Sequence, residues 1–139
     1  MDCPLCRIDQ DELVWLDAHC RVIRVTDPDY AGFCRVVWND HIAEMTDLAP
    51  ADRHHLLDVV MATETALRTL MRPAKINLAS FGNMVPHLHW HVIPRFTDDR
   101  HFPESVWGRA QRAGQAHTAP DTKTLATEID RALLNQARS

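Results

Sequence analysis

The sequence predicts an α+β domain: an antiparallel sheet of about five strands, one long helix, and a C-terminal helix. Three observations lead there. Short runs rich in β-branched and aromatic residues occupy residues 13–38, a helical apolar stripe lies between Pro50 and Pro73, and two further strand-like runs precede a last amphipathic segment.

The first strands are read at Leu13-Val14-Trp15-Leu16, Val22-Ile23-Arg24-Val25 and Phe33-Cys34-Arg35-Val36-Val37-Trp38. Asp27-Pro28-Asp29-Tyr30-Ala31-Gly32 supplies turn residues between the last two. Links this short make antiparallel pairing the expectation. A helix then spans roughly 50–72, because Pro50 suits its first turn and Pro73 cannot continue it. Leu56, Val60, Leu67, Leu70 and Met71 form its apolar stripe. His54 and His55 are adjacent, point in different directions, and are expected at the surface or boundary. Ile76–Ser80 reads as a strand, Gly82-Asn83 as a turn, and Pro86–Ile93 as a strand closed by Pro94. Residues 97–120 read as an ordered arm without regular structure, and Leu125, Ile129 and Leu133 place a last helix at about 122–137.

Composition bounds the function. A chain of 139 residues with 45% hydrophobic and 24% charged residues is expected to form a single domain over 1–139, its arm and last helix beginning at about 97. A net charge of −4 argues against a broad nucleic-acid surface but not against a small anionic ligand. No window approaches the ~18 apolar residues of a membrane span. Met1-Asp2-Cys3-Pro4 opens no basic-then-apolar leader, so a cytoplasmic location is expected, with no membrane partner. Cys20 and Cys34 are read as small buried apolar residues. Cys3 and Cys6 form a CxxC pair, whose spacing suits a metal or a redox couple.

The chemistry centres on His87-Leu88-His89-Trp90-His91-Val92-Ile93. Strand alternation sends the three histidines to one face, and Leu88, Trp90 and Val92 to the other, against the long helix. Packing does not explain three imidazoles in a row, since each brings nitrogens that burial must satisfy. Two readings follow. The histidines form a metal-ligand array, although the strand carries no carboxylate base and Asp98 and Asp99 lie beyond Pro94. Alternatively, one imidazole is a nucleophile toward phosphorus, and its neighbours orient it and protonate the leaving group.

This segment matches the alternating histidine–apolar signature of the histidine triad (HIT) family. The chain resembles in particular bacterial HIT proteins of the diadenosine-polyphosphate hydrolase type. The likeness continues through Asn77, Gly82-Asn83-Met84-Val85-Pro86, Pro94-Arg95-Phe96 and Trp38-Asn39-Asp40-His41-Ile42, covering roughly residues 3–108. The resemblance implies a HIT-like sheet, a homodimer, and hydrolysis at the α-phosphate of a purine nucleotide. The substrate would be a dinucleoside polyphosphate or a nucleoside phosphoramidate.

In that family pattern His89 is the nucleophile that becomes nucleotidylated, and His91 hydrogen-bonds phosphate or leaving-group oxygens. Asn77, Gly82 and Asn83 contact the nucleotide and its phosphate, and Arg95 is expected to reach distal phosphates. Met84 stands where many relatives have a hydroxyl, and Asn83 where many have Gln. The resemblance also implies one structural zinc on Cys3, Cys6, His41 and His87, and no catalytic metal. Trp107 falls on an arm that in the family lies near the dimer interface. The rival readings are a nucleotidyltransferase using the same intermediate, and a nucleotide-binding regulator without turnover.

Overall fold

The computed structural model describes residues 3–7 and 12–138. Met1 and Asp2, on which the expectation about a leader partly rests, lie outside them. Five strands form one sheet: β1 (Glu12–Leu16), β2 (Cys20–Arg24), β3 (Cys34–Trp38), β4 (Lys75–Ala79) and β5 (His89–Arg95). Their spatial order is β1-β2-β3-β5-β4, with every described neighbour antiparallel. Two helices, α1 (Pro50–Met71) and α2 (Thr122–Ala137), complete the α+β architecture expected from the sequence. Among the described residues, no helix is long and apolar enough to cross a membrane.

The helices cover one face of the sheet. Leu56, Val59, Val60, Ala62, Thr63, Ala66 and Leu67 are buried on α1, a wider stripe than the expected one. Leu70 and Met71 pack on its edge. Cys20, Val22, Cys34, Val36 and Val92 meet this stripe from the sheet, and Leu125, Ile129 and Ala132 meet it from α2. Pro50 opens α1, and Arg72 closes it in the left-handed region at φ 51°. Asp121 caps α2, its carboxylate accepting from the Thr124 N–H at 2.7 Å. His54 is exposed, whereas half-buried His55 donates to Asp17 at 2.7 Å, tying α1 to the β1–β2 turn.

One boundary differs from the expectation. β5 starts at His89, not Pro86, and continues through Pro94 to Arg95. Before His89 the chain turns to other partners: His87 N–H donates to Val85 and Leu88 N–H to Ile42, while the Leu88 carbonyl accepts from Trp38. Pro94 is tolerated in a strand because pairing with β3 ends at Val92, leaving only β4 beside it.

Candidate functional site

β3 and β5 make the floor of the site, on the sheet face away from the helices. Their register sets Val37 beside His89 and Arg35 beside His91, and β4 sets Ala79 beside His91 on the other flank. A cavity of about 970 Å³ opens over this floor, lined by Leu5, Arg35, Asn77, Phe81, Gly82, Asn83, Met84, His89, His91 and Trp107, among others.

His89 is buried, and its Nδ1 lies 2.6 Å from the His87 carbonyl. A carbonyl oxygen only accepts, so Nδ1 carries the proton and Nε2 keeps its lone pair. Burial lowers the His89 pKa and the Arg35 charge adds to this, outweighing the bond to the His87 carbonyl. The ring is therefore neutral at pH 7, as a nucleophile requires. His91 is pushed further, to about 4, by burial, by His89 and by Arg35. Its Nδ1 is buried and has no hydrogen-bond partner among the described residues. Buried nitrogens are seldom left in this state, and the His91 ring stands among the residues that line the cavity.

Aromatic rings enclose His91. Phe33, Phe81 and Trp107 stand with ring centroids 5.6, 6.2 and 4.9 Å from it. Trp107 comes from the irregular arm, which one carboxylate organises. Asp99 pairs with Arg95 at 2.8 Å and accepts from the N–H groups of Phe96, His101 and Phe102. Arg112 adds bonds to the carbonyls of Asp99 and Phe102, and Tyr30 hydrogen-bonds His101.

This network corrects the expectation for Arg95. The residue is 2% exposed, and its guanidinium binds Asp99, the Glu104 carbonyl and Asn77 Oδ1. It does not line the cavity, because those acceptors draw it toward the arm. Asn77 does line the cavity, with its amide oxygen held by Arg95 at 2.7 Å. Gly82 and Asn83 lie on the rim, where the chain turns at a Gly82 φ of 76° that suits glycine. Met84, at the position of the missing hydroxyl, is 94% exposed. Sequence reasoning missed Arg35, Phe33 and Phe81. Arg35 left one signal, a charge inside an apolar strand whose other four residues are buried.

A second cluster sits beside the floor. His87 is fully buried, and its Nδ1 lies 3.4 Å from Cys3 Sγ and 3.5 Å from Cys6 Sγ, while His41 Nδ1 lies 3.4 Å from Cys6 Sγ. All four ligand atoms fall within 4.8 Å of one another. Tetrahedral zinc, with Zn–S about 2.3 Å and Zn–N about 2.05 Å, separates sulfur from nitrogen by about 3.5 Å. The chemistry and spacing of these residues fit a closed, four-ligand metal site. His87 Nε2 donates to the Trp38 carbonyl at 2.6 Å, which leaves Nδ1 as the ligating nitrogen.

The HIT domain model matches residues 8–98. The chain belongs to the histidine triad family. Among solved structures, a histidine triad protein from Bradyrhizobium japonicum is 26% identical, with 88% of this chain and 91% of that one aligned at a TM-score of 0.69. A histidine triad protein from Marinobacter aquaeolei VT8 is 25% identical over 90% of each chain, also at a TM-score of 0.69. A zinc-bound histidine triad family protein from Mycobacterium smegmatis shares the fold at 20% identity and a TM-score of 0.62, over 99% of this chain and 97% of that one. No curated protein matches the sequence significantly. The five-stranded antiparallel sheet with two helices is thus the HIT-like fold.

Proposed function

We propose that this HIT protein is a nucleotide hydrolase acting at the α-phosphate of a purine nucleotide, through a nucleotidyl-histidine intermediate on His89. The observation that carries the reading is the His89 Nδ1 contact to the His87 carbonyl, which leaves a neutral Nε2 for attack. That lone pair forms the bond to phosphorus as the leaving group departs with the electrons of its own bond. Water then attacks phosphorus, the P–N bond breaks, and the pair returns to Nε2. His91, which lines the same cavity two residues along β5, serves the phosphate or leaving-group oxygens. Asn77, Gly82 and Asn83 hold the nucleotide, and Arg95 acts on it through Asn77.

The reading takes residues 1–139 as one cytoplasmic domain that works as a homodimer. It assigns a structural zinc to Cys3, Cys6, His41 and His87, on the fit of those four residues and the zinc-bound relative. The zinc would set the approach to β5 and take no part in the reaction.

The test is a panel of adenylated and guanylated substrates, scored for nucleotide monophosphate release. Base-quenched wild-type protein should be heavier by one nucleotide monophosphate, with the adduct on His89. His89→Ala should abolish turnover while nucleotide binding survives, and His91→Ala should cost about 10²–10⁴-fold. Near-wild-type turnover in His89→Ala, or turnover that follows a removable metal, would overturn the reading.

A further inference from the structure

Arg35 is the charged residue set directly across from His91 in the sheet register. Opposed residues of an antiparallel pair bring their Cβ atoms within about 5 Å, so Arg35 and His91 share one patch of floor. Among the described residues the other cation lining the cavity is Lys75, which pairs with Arg95 four residues along β4 from Ala79, the partner of His91. At about 3.3 Å per residue that is roughly 13 Å away. The phosphate chemistry therefore has one near cation on the strand floor, and it stands on the His91 side. Phe33, Phe81 and Trp107 around His91 line this patch with apolar surface, which favours a contact between a guanidinium and an oxyanion.

We infer that Arg35 is a specificity-determining residue: it takes up the charge of the departing group and so selects substrates whose α-phosphorus is joined through oxygen to a further phosphate. The inference rests on the reading of His89 as nucleophile and names the leaving group for that reaction. When His89 Nε2 bonds to phosphorus, the P–O bond breaks and its electron pair stays on the terminal oxygen of the released phosphate. That group leaves as an anion without needing a proton, and a guanidinium beside it stabilises the charge as it forms. An amine leaving group behaves differently, because its nitrogen must gain a proton as the P–N bond breaks. The group placed to give that proton is His91, and burial, His89 and Arg35 all disfavour its protonated form. The same cation thus favours the phosphate leaving group and handicaps the amine.

The test compares two substrates that deliver the same adenylyl group, diadenosine tetraphosphate and adenosine 5′-phosphoramidate. Arg35→Met, similar in length and without charge, should lower kcat/KM for diadenosine tetraphosphate by about 10²–10³-fold. It should change kcat/KM for the phosphoramidate by less than about tenfold, and Arg35→Lys should restore much of the lost polyphosphate turnover. Equal losses on both substrates, or no recovery with Lys, would overturn the inference. A binding arm needs no catalysis. In the His89→Ala background, Arg35→Met should weaken diadenosine tetraphosphate by at least about tenfold while AMP affinity holds. AMP weakened as much as the dinucleotide would place Arg35 on the transferred phosphate and overturn the assignment. If wild-type protein releases AMP from neither substrate, the hydrolase reading fails, and the binding comparison still decides the role of Arg35.

Discussion

His87 links the two clusters through both its side chain and its backbone. Its imidazole gives Nε2–H to the Trp38 carbonyl and turns Nδ1 to the thiols, while its own carbonyl takes the proton-bearing Nδ1 of His89. Two backbone carbonyls thereby set two tautomers, one suited to ligation and one to attack. Asp99 has a comparable hold on the arm. Burial alone would raise its pKa, but Arg95 and the N–H groups of Phe96 and Phe102 prevail and hold it at about 2, against 3.8 when unfolded. The folded value is the lower one, so this contribution is complete above pH 3.8 and fades as pH falls toward 2. It is worth on the order of 2 kcal/mol. Chemical denaturation followed between pH 5 and 2 should show that loss in the wild type, and Asp99→Asn should show a smaller slope there. Equal slopes would mean that Asp99 is not the titrating group.

At the scale of elements, the CxxC pair closes a short 3-10 turn, Pro4–Cys6, onto two distant segments. His41 lies on the link after β3 and His87 on the approach to β5, while Leu5 packs on Ile23 and Val37. Arg21, buried in β2, donates to the Leu5 carbonyl and to Asn39 Oδ1. A zinc ion here would cross-link three parts of the chain, so its binding energy would stabilise the fold. Protein purified without chelators is expected to carry about one zinc per chain. Cys6→Ser should lose the metal and lower Tm, and stripping the wild type should move its Tm in the same direction. Elemental analysis that finds no metal would remove the zinc from the proposal.

For the whole molecule, the sheet has two edges. β1 is one, and its Trp15 Nε1 donates to Asp130 of α2 at 2.8 Å. β4 is the other edge, and its residues Lys75–Ala79 also line the cavity. Among the described residues no strand pairs with the outer side of β4, and an open edge beside the candidate site favours pairing with a second copy, which would extend the sheet across a two-fold axis. Light scattering at micromolar concentration should therefore give the mass of two 15.9 kDa chains. A one-chain mass would end the dimer proposal.

Local patterns determined much of this protein. Pro50 and Pro73 bounded a helix that runs Pro50–Met71, and period-two alternation put His89 and His91 on one face with Trp90 and Val92 on the other. Such patterns depend on neighbours in sequence, which is why they are readable without a structure. The surroundings of the histidines were not readable in the same way. Arg35 meets His91 only through the register of β3 on β5, and Trp107 reaches it only because Asp99 folds the arm back over the sheet. Arg95 looked like a phosphate ligand by its place after Pro94, yet burial commits it to Asp99 and Asn77. The strand by itself determined which way each imidazole points. The tertiary structure decided which charge, ring or carbonyl stands opposite it, because those groups come from distant segments and meet only when the sheet and arm close.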